Sequence, residues 1–142
     1  MTDRCRSRHA GGHGGFGNIL ALPSPFVVAL HHERLATRTC TPCTGAMPSL
    51  DANVAEKAVA ALPGWTLAAD GRTLTRRWEF KGFARAVQME NLDAWLGETQ
   101  GHHPDVRFGW GYCEVTFTTH AAGGLTENDL ICAARLNAIS DH

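Results

Sequence analysis

Apolar positions recur with regular periods from Met47 onwards, and these periods predict the secondary structure of the chain. A first helix is predicted to end at Pro63-Gly64. The pair Asp70-Gly71 favours a hairpin turn between a short strand, Trp65 to Ala69, and a second strand in which apolar and polar side chains alternate. The apolar positions of that helix and second strand are Leu50, Val54, Ala58, Val59, Leu62, Leu74, Trp78 and Phe80.

A longer helix is predicted from Phe83 to Glu98, with Asp93 lying close to its apolar stripe. A His-His-Pro turn follows at residues 102–104. Two strands come next, Asp105 to Phe108 and Tyr112 to Thr119, and the second shows the alternation of a strand with one buried face. The side chains expected in the core here are Phe83, Ala86, Val87, Ala94 and Trp95 of the helix, together with Trp65 and Trp78.

The last predicted helix follows a Gly-Gly loop. Thr126 with Asp129 three residues later matches a capping box, and this role alone would account for the carboxylate. The elements therefore run helix, hairpin, helix, strand pair, helix. This order predicts an α+β fold of two layers, in which an antiparallel sheet of about four strands has helices packed on one face.

Residues 1–46 show no helical or strand period, and they mix Gly-rich, Arg-rich and Pro-containing pieces. We therefore expect a poorly ordered or spurious N-terminal extension, followed by one domain at residues 47–142 whose natural start is Met47. Pro23 and Pro25 interrupt the apolar stretch that would otherwise resemble a secretory signal.

The composition excludes several classes of function. A formal net charge of -1 argues against a nucleic-acid binder, because phosphate affinity depends on a surplus of Lys and Arg. No apolar run approaches the ~18 residues that a membrane span needs. The five cysteines are expected to be free thiols in a reducing, cytoplasmic compartment. The single CxxC motif, Cys40 and Cys43 near His31 and His32, is a weak zinc signal without a second cysteine pair.

Three of the eight histidines lie in a turn and at a strand end: His102, His103 and His120. Histidine gives and takes protons near neutral pH, so this cluster is a candidate acid/base site. The alternative is a zinc site, since three imidazoles and a water form a catalytic geometry. Adjacent side chains of an extended chain point in opposite directions, however, so His102 and His103 would rarely bind one ion. We expect no metal.

The arrangement of these residues resembles the pterin-4a-carbinolamine dehydratase family. The likeness runs from about Trp65 to the C-terminus, and it includes E-x3-H-H-P from Glu98, an aromatic at Trp110 and the stretch THAAGGLTEND. The resemblance implies dehydration of 4a-hydroxytetrahydropterin, the product of pterin-dependent aromatic amino acid hydroxylases, to quinonoid dihydropterin and water. It also implies a homodimer or homotetramer, a functional link to such a hydroxylase, and no cofactor besides the pterin substrate.

The resemblance further implies roles for individual residues. His102 and His120 are the expected proton-transfer residues, and His103 is expected to position the substrate. Other substrate contacts are expected beside the histidines, with Trp110 either an aromatic wall for the pterin or a packing residue. The expected contacts are Gly101, Thr118, Thr119, Ala121 and Trp110, and the expected supporting residues are Glu98, Pro104 and Asp129.

Two positions depart from the family pattern. Members commonly have an acidic residue directly after the Thr-His pair, where this chain has Ala121, and often one before the first histidine, where it has Gly101. These departures leave a second function open, namely a catalytically weak or inactive scaffold of the same fold that acts as a dimerisation or assembly partner. Binding of a pterin would distinguish the two functions, since a scaffold should show none.

Overall fold

A computed structural model describes residues 32–44 and 46–141, and within them one antiparallel sheet carries helices on one face. After a helical segment at residues 32–36, the helices are α1 (Ala52–Ala60), α2 (Phe83–Gln100) and α3 (Glu127–Ser140), and the strands are β1 (Thr66–Leu67), β2 (Leu74–Glu79), β3 (Asp105–Gly109) and β4 (Tyr112–Phe117). The strand order is β1-β2-β4-β3. A short 3-10 helix, His120–Ala122, connects the sheet to α3. The predicted α+β fold is confirmed.

Alternation along the central strands separates the buried face of the sheet from the polar one. Cys113, Val115 and Phe117 of β4 are fully buried. On the opposite face, the hydroxyls of Thr75 and Thr116 lie 2.9 Å apart across β2 and β4. Side chains at alternate positions of a strand point to opposite faces, so one face of this sheet packs under the helices while the other carries polar groups.

Helix α2 buries a different stripe from the predicted one. Ala86 is buried as expected, but the inner face continues through Met89, Asp93 and Leu96. Trp95 is 60% exposed and Phe83 is 51% exposed, so the prediction that both lie in the core is wrong. A helix advances by about 100° per residue, and apolar side chains on two of its faces leave the choice of inner face ambiguous in sequence. Trp65, in contrast, is buried as predicted.

Asp93 carries a buried carboxyl group on the inner face of α2. Its side chain is fully buried, and neither carboxyl oxygen has a hydrogen-bond partner among the described residues. Burial, with a further contribution from the charge of Glu90, raises the pKa of Asp93 to about 7. Ionisation of this carboxyl therefore costs folding free energy, and the cost grows as the pH rises from about 4 towards 7.

Asp93→Asn is expected to raise the free energy of unfolding by about 2 to 4 kcal/mol at pH 8, because it removes a buried charge that the native state holds at a cost. The gain should be smaller at pH 5, where the native carboxyl is still protonated. Urea unfolding at both pH values measures the difference. Asp105→Asn, at an exposed position of β3, is the matched control and should change little. An equal gain at both pH values would contradict the assignment.

The chain before α1 is described in part. Residues 32–36 are helical, and Leu35, Ala36 and Cys40 pack against the hydrophobic core. Residues 1–31 and 45 of the predicted extension lie outside the described residues. That Met47 is the natural start stays a prediction, tested by intact mass of protein made from its native gene. None of the helices in the described part of the chain is both long and apolar enough to cross a membrane.

Candidate active site

The end of α2 places the His-His-Pro turn. Gly101 caps the helix in the left-handed conformation, at φ 62°, and the N–H of His102 donates to the carbonyl of Gly97 at 3.0 Å. A Cβ atom on Gly97 would lie 3.0 Å from Cδ of Pro104, so the returning chain packs directly on the helix at this point. Glycine at both positions therefore lets the helix end abruptly and direct His102 back over the sheet.

His102 is buried between a carboxylate and an aromatic ring. Its Nε2 lies 2.6 Å from Oδ1 of Asp129 at the start of α3. Its ring stacks on that of Phe117 in β4, with centroids 5.9 Å apart and an angle of 13° between the planes. The side chain is 5% exposed. The imidazole is thus fixed in orientation, with Nε2 occupied and Nδ1 as the ring nitrogen left for other partners.

Asp129 holds this site together while capping α3. Its Oδ2 accepts hydrogen bonds from the backbone N–H of Thr126 at 2.7 Å and from the hydroxyl of Thr119 at 2.8 Å. The predicted capping box of Thr126 and Asp129 is present. One buried carboxylate therefore starts the helix with one oxygen and orients His102 with the other, so the capping role and the supporting role coincide.

Asp129 also controls the charge on His102. Burial opposes the charged imidazolium, but the hydrogen bond from the ring to Asp129, the carboxylate's charge and the contact with Cys43 outweigh it. The pKa of His102 is raised from 6.5 to about 9. His102 is therefore protonated at neutral pH, and its Nδ1–H can donate.

The other two histidines are exposed. His120 lies in the 3-10 helix, and its ring makes no hydrogen bond to any described side chain. The Nε2 of His103 lies 3.0 Å from Oε2 of Glu98, one turn back on α2. Glu98 therefore orients His103 rather than His102, and His120 keeps both ring nitrogens accessible to a ligand.

The three histidines line one cleft. Its volume is about 240 Å³, and Cys43 forms part of its wall. Of the predicted site residues, Glu98, Pro104 and Asp129 are not part of the lining, and Trp110 lies in the β3–β4 turn, 74% exposed and also outside the lining. The predicted site residues that line the cleft are Gly101, His102, His103, Thr118, Thr119, His120 and Ala121.

Cys43 is the site residue that the sequence interpretation missed. It belongs to residues 38–43, which we call the strap, and its Sγ lies 3.3 Å from Nδ1 of His102. The strap belongs to the stretch predicted to be an extension, and 59 positions separate the thiol from the imidazole that it contacts. The CxxC motif was the one available signal, and it suggested zinc. Across residues 32–44 and 46–141, no three His, Cys, Asp or Glu side chains converge as a metal-binding group.

Comparisons with known proteins place this chain and its fold in a family. The sequence model of the family described as "Pterin 4 alpha carbinolamine dehydratase" matches residues 48–139. A protein of Paracoccus denitrificans (strain Pd 1222), provisionally named a pterin-4-alpha-carbinolamine dehydratase, is 54% identical over 91 residues, which cover 64% of this chain and 85% of that protein. A protein of Azoarcus sp. (strain BH72) with the same provisional name is 42% identical over 108 residues, covering 76% of this chain and 92% of that one.

A solved structure agrees with these sequence matches. The crystal structure of a transcriptional coactivator/pterin dehydratase from Brucella melitensis superposes with a TM-score of 0.60 at 32% sequence identity, covering 64% of this chain and 97% of that one. The family match includes every predicted site residue from Glu98 to Asp129, and the strap lies before its first residue. The chain therefore belongs to the pterin 4 alpha carbinolamine dehydratase family.

Proposed function

We propose that this chain dehydrates 4a-hydroxytetrahydropterin to quinonoid dihydropterin and water, with His102 as general acid and His120 as general base. The proposal is carried by a pair of imidazoles on one cleft. His102 is buried and hydrogen-bonded to Asp129, which against the effect of burial raises its pKa to about 9, and His120 is exposed. Two imidazoles in different environments can divide the two proton transfers of a dehydration.

The reaction needs a proton on the departing hydroxyl and removal of the proton from the neighbouring ring nitrogen. His102 carries a proton at neutral pH, and its Nδ1 is the nitrogen not engaged by Asp129. His120 stands on the same cleft, where it can accept the proton from the pterin nitrogen. His103, held by Glu98 at 3.0 Å, is suited to a hydrogen bond that positions the substrate.

The remaining features of the proposal follow from this chemistry. Dehydration transfers protons and no electrons, and two imidazoles can carry both proton transfers, so we propose that the site uses neither a metal nor an organic cofactor. The substrate is the product of aromatic amino acid hydroxylases, so we place the protein in pterin recycling in the cytoplasm. Ala121 leaves the cleft wall without the carboxylate common in the family. The Thr119 hydroxyl is buried and donates to Asp129, so we expect the backbone of Thr119 and Ala121 to carry that part of pterin binding.

The test is the breakdown of 4a-carbinolamine, followed by its ultraviolet absorbance with and without reduced protein. The carbinolamine loses water slowly unaided, so the uncatalysed rate is measured in the same experiment. Acceleration in proportion to protein concentration supports the proposal. Absence of acceleration from folded protein rejects it.

A scaffold function is the second candidate, because the Brucella melitensis relative carries the description of a coactivator as well as a dehydratase. Ala121 on the cleft wall is the feature of this chain that favours it. Titration with 7,8-dihydrobiopterin, followed by quenching of tryptophan fluorescence, separates the two functions. A scaffold gives no binding, whereas the enzyme gives binding that His103→Ala weakens.

We further propose that the chain forms a homo-oligomer through the outer face of α2. Trp95 and Phe83 are more than half exposed and lie about 120° apart around α2, and Phe83 packs on Phe108 of the adjoining strand β3, itself 41% exposed, with ring centroids 6.2 Å apart. Exposed large apolar side chains that are grouped on one surface are typical of interaction sites.

Trp95→Glu is expected to convert the oligomer into monomers, because it places a charge where the proposed interface buries an indole. Sedimentation velocity at micromolar protein measures the change. Val54→Glu on α1 is the matched control, since Val54 is 52% exposed and outside this face. A Trp95→Glu variant with an unchanged sedimentation coefficient would place the interface elsewhere.

A further inference from the structure

The strap is bound to the start of α3 by specific hydrogen bonds. Asn128 accepts from the backbone N–H of Thr41 at 3.0 Å and donates to its carbonyl at 2.7 Å. The same amide donates to Sγ of Cys43 at 3.3 Å. Asn128 is 1% exposed, so closure of the strap satisfies a buried amide that would otherwise lack these partners.

A pair of thiols lies where the strap meets α3. The Sγ atoms of Cys40 and Cys132 are 3.4 Å apart, against about 2.05 Å in a disulfide, so a modest shift of the strap would bring them to bonding distance. The hydrogen bond from the Cys132 thiol lowers the pKa of Cys40, and burial opposes this only in part. Cys132 is fully buried and Cys40 is half-buried, so Cys40 is the thiol that an oxidant reaches first.

We propose that Cys40 and Cys132 form a disulfide that locks the strap over the active-site cleft, so that a disulfide oxidant switches the enzyme off. This inference rests on the proposed function for its effect on activity, and it requires a chain that includes residues 38–43, which a start at Met47 would remove. The Cys40 thiolate attacks one sulfur of oxidised glutathione and expels a glutathione thiolate. Cys132 then loses its proton and displaces the second glutathione thiolate from Cys40, so the two protein thiols are oxidised and one glutathione disulfide is reduced.

The Cys40–Cys132 disulfide inhibits the enzyme through Cys43. Asp129 occupies Nε2 of His102, and Cys43 lies against Nδ1, so both ring nitrogens are engaged while the strap is closed. Noncovalent contacts hold the strap in the reduced protein, and a substrate can compete with them. They are the hydrogen bonds to Asn128, the ion pair of Arg38 with Glu127 and the packing of Cys40 on the core. A covalent bond three residues from Cys43 removes the open state, and binding weakens in proportion to the fraction of open protein that is lost.

Disulfide mapping of the full chain tests the covalent step without any assay of activity. Protein treated with oxidised glutathione is alkylated, digested with trypsin and sequenced by mass spectrometry without reduction. We expect a link between Cys40 in the peptide 39–57 and Cys132 in the peptide 108–135. Cys40→Ser should abolish the link, and Cys113→Ala, which removes the other thiol of the second peptide, should keep it. A Cys40–Cys43 disulfide as the main product would overturn the proposal.

Activity of the same samples tests the consequence. Oxidised wild type should lose about tenfold or more in kcat/KM and regain it with dithiothreitol, whereas Cys40→Ser should be insensitive to oxidised glutathione. Full activity of the mapped Cys40–Cys132 protein would overturn the lock. If reduced wild type does not accelerate dehydration, the proposed function fails while the mapping still decides the disulfide.

The activity of the reduced Cys43→Ala variant shows whether this thiol blocks His102 or assists its proton transfer. Removal of the contact with His102 should raise kcat/KM by about two- to tenfold if Cys43 only covers the ring. A loss of about tenfold or more in kcat/KM would mean that Cys43 relays protons. It would overturn the proposal that the closed strap inhibits through Cys43.

Discussion

Asp129→Asn is expected to lower kcat/KM by about 10²-fold at pH 7.5, the usual scale for loss of a general acid. Asparagine keeps the shape of the side chain but removes the charge that holds the proton on His102. Burial then lowers the pKa of His102, because the opposing contributions of Asp129 are gone. The alkaline limb of the pH–rate profile, near pH 9 in wild type, should therefore move to lower pH, and part of the activity should return on acidification.

Asp129→Asn should also change how the free energy of unfolding depends on pH. The folded-state pKa of His102 lies above its unfolded value, so its contribution to stability is complete below about pH 6.5 and is lost as the pH rises through 9. In wild type this amounts to roughly 3 kcal/mol. Asp129→Asn should remove that dependence, besides weakening the hydrogen bonds that the carboxylate accepts from Thr119 and Thr126. Urea unfolding at pH 6, 8 and 9.5 measures both.

One result would contradict this prediction for Asp129→Asn. If Asp129→Asn reduces stability but leaves the position of the alkaline limb unchanged, then Asp129 acts only as a helix cap. His102 would then not be the group whose protonation the rate reports. Glu98→Gln is a matched control on the exposed histidine, and it should change KM with little change in the alkaline limb.

His120→Ala is expected to lower kcat by about 10²- to 10⁴-fold while leaving the free energy of unfolding within about 0.5 kcal/mol of wild type. The side chain is exposed, and no described residue hydrogen-bonds its ring, so its removal costs the fold little. This separates it from His102, whose removal also leaves the buried Asp129 without its partner.

His103→Ala is the comparison for His120→Ala, since both histidines are exposed and line the same cleft. A positioning residue should change KM more than kcat, whereas a proton-transfer residue should change kcat. Steady-state kinetics of the two variants measure the difference. If His120→Ala keeps wild-type kcat, another group must act as base.

The sequence predicts helices, strands and turns well where the pattern depends on residues close together in the chain. The hairpin at Asp70-Gly71, the capping box of Thr126 and Asp129, and the alternation in β4 each depend on residues close in sequence, and the structure confirms all three. The fold class follows from their order. The face of α2 that turns inward could not be predicted in the same way, because packing against β3, β4 and α3 selects it among several apolar positions.

In the site, too, local features could be predicted from the sequence and long-range contacts could not. The clustering of His102, His103 and His120 follows from a turn and a strand end that lie at the same end of the adjacent strands β3 and β4. The pairing of His102 with Asp129 joins residues 27 positions apart, and the contact of His102 with Cys43 spans 59. No periodicity reports such contacts, so the sequence indicates Asp129 as a cap and, by resemblance, as a supporting residue, and it indicates Cys43 only as part of a weak zinc motif.

The central claim is that two imidazoles on one cleft dehydrate the pterin, and the double variant His102→Ala/His120→Ala tests it most directly. Progress curves of 4a-carbinolamine breakdown are recorded with no protein, with reduced wild type and with the double variant, whose folding is checked by circular dichroism. We predict acceleration by wild type and a rate for the folded double variant that equals the uncatalysed one. A folded double variant as fast as wild type would contradict the account, and so would a wild type no faster than buffer.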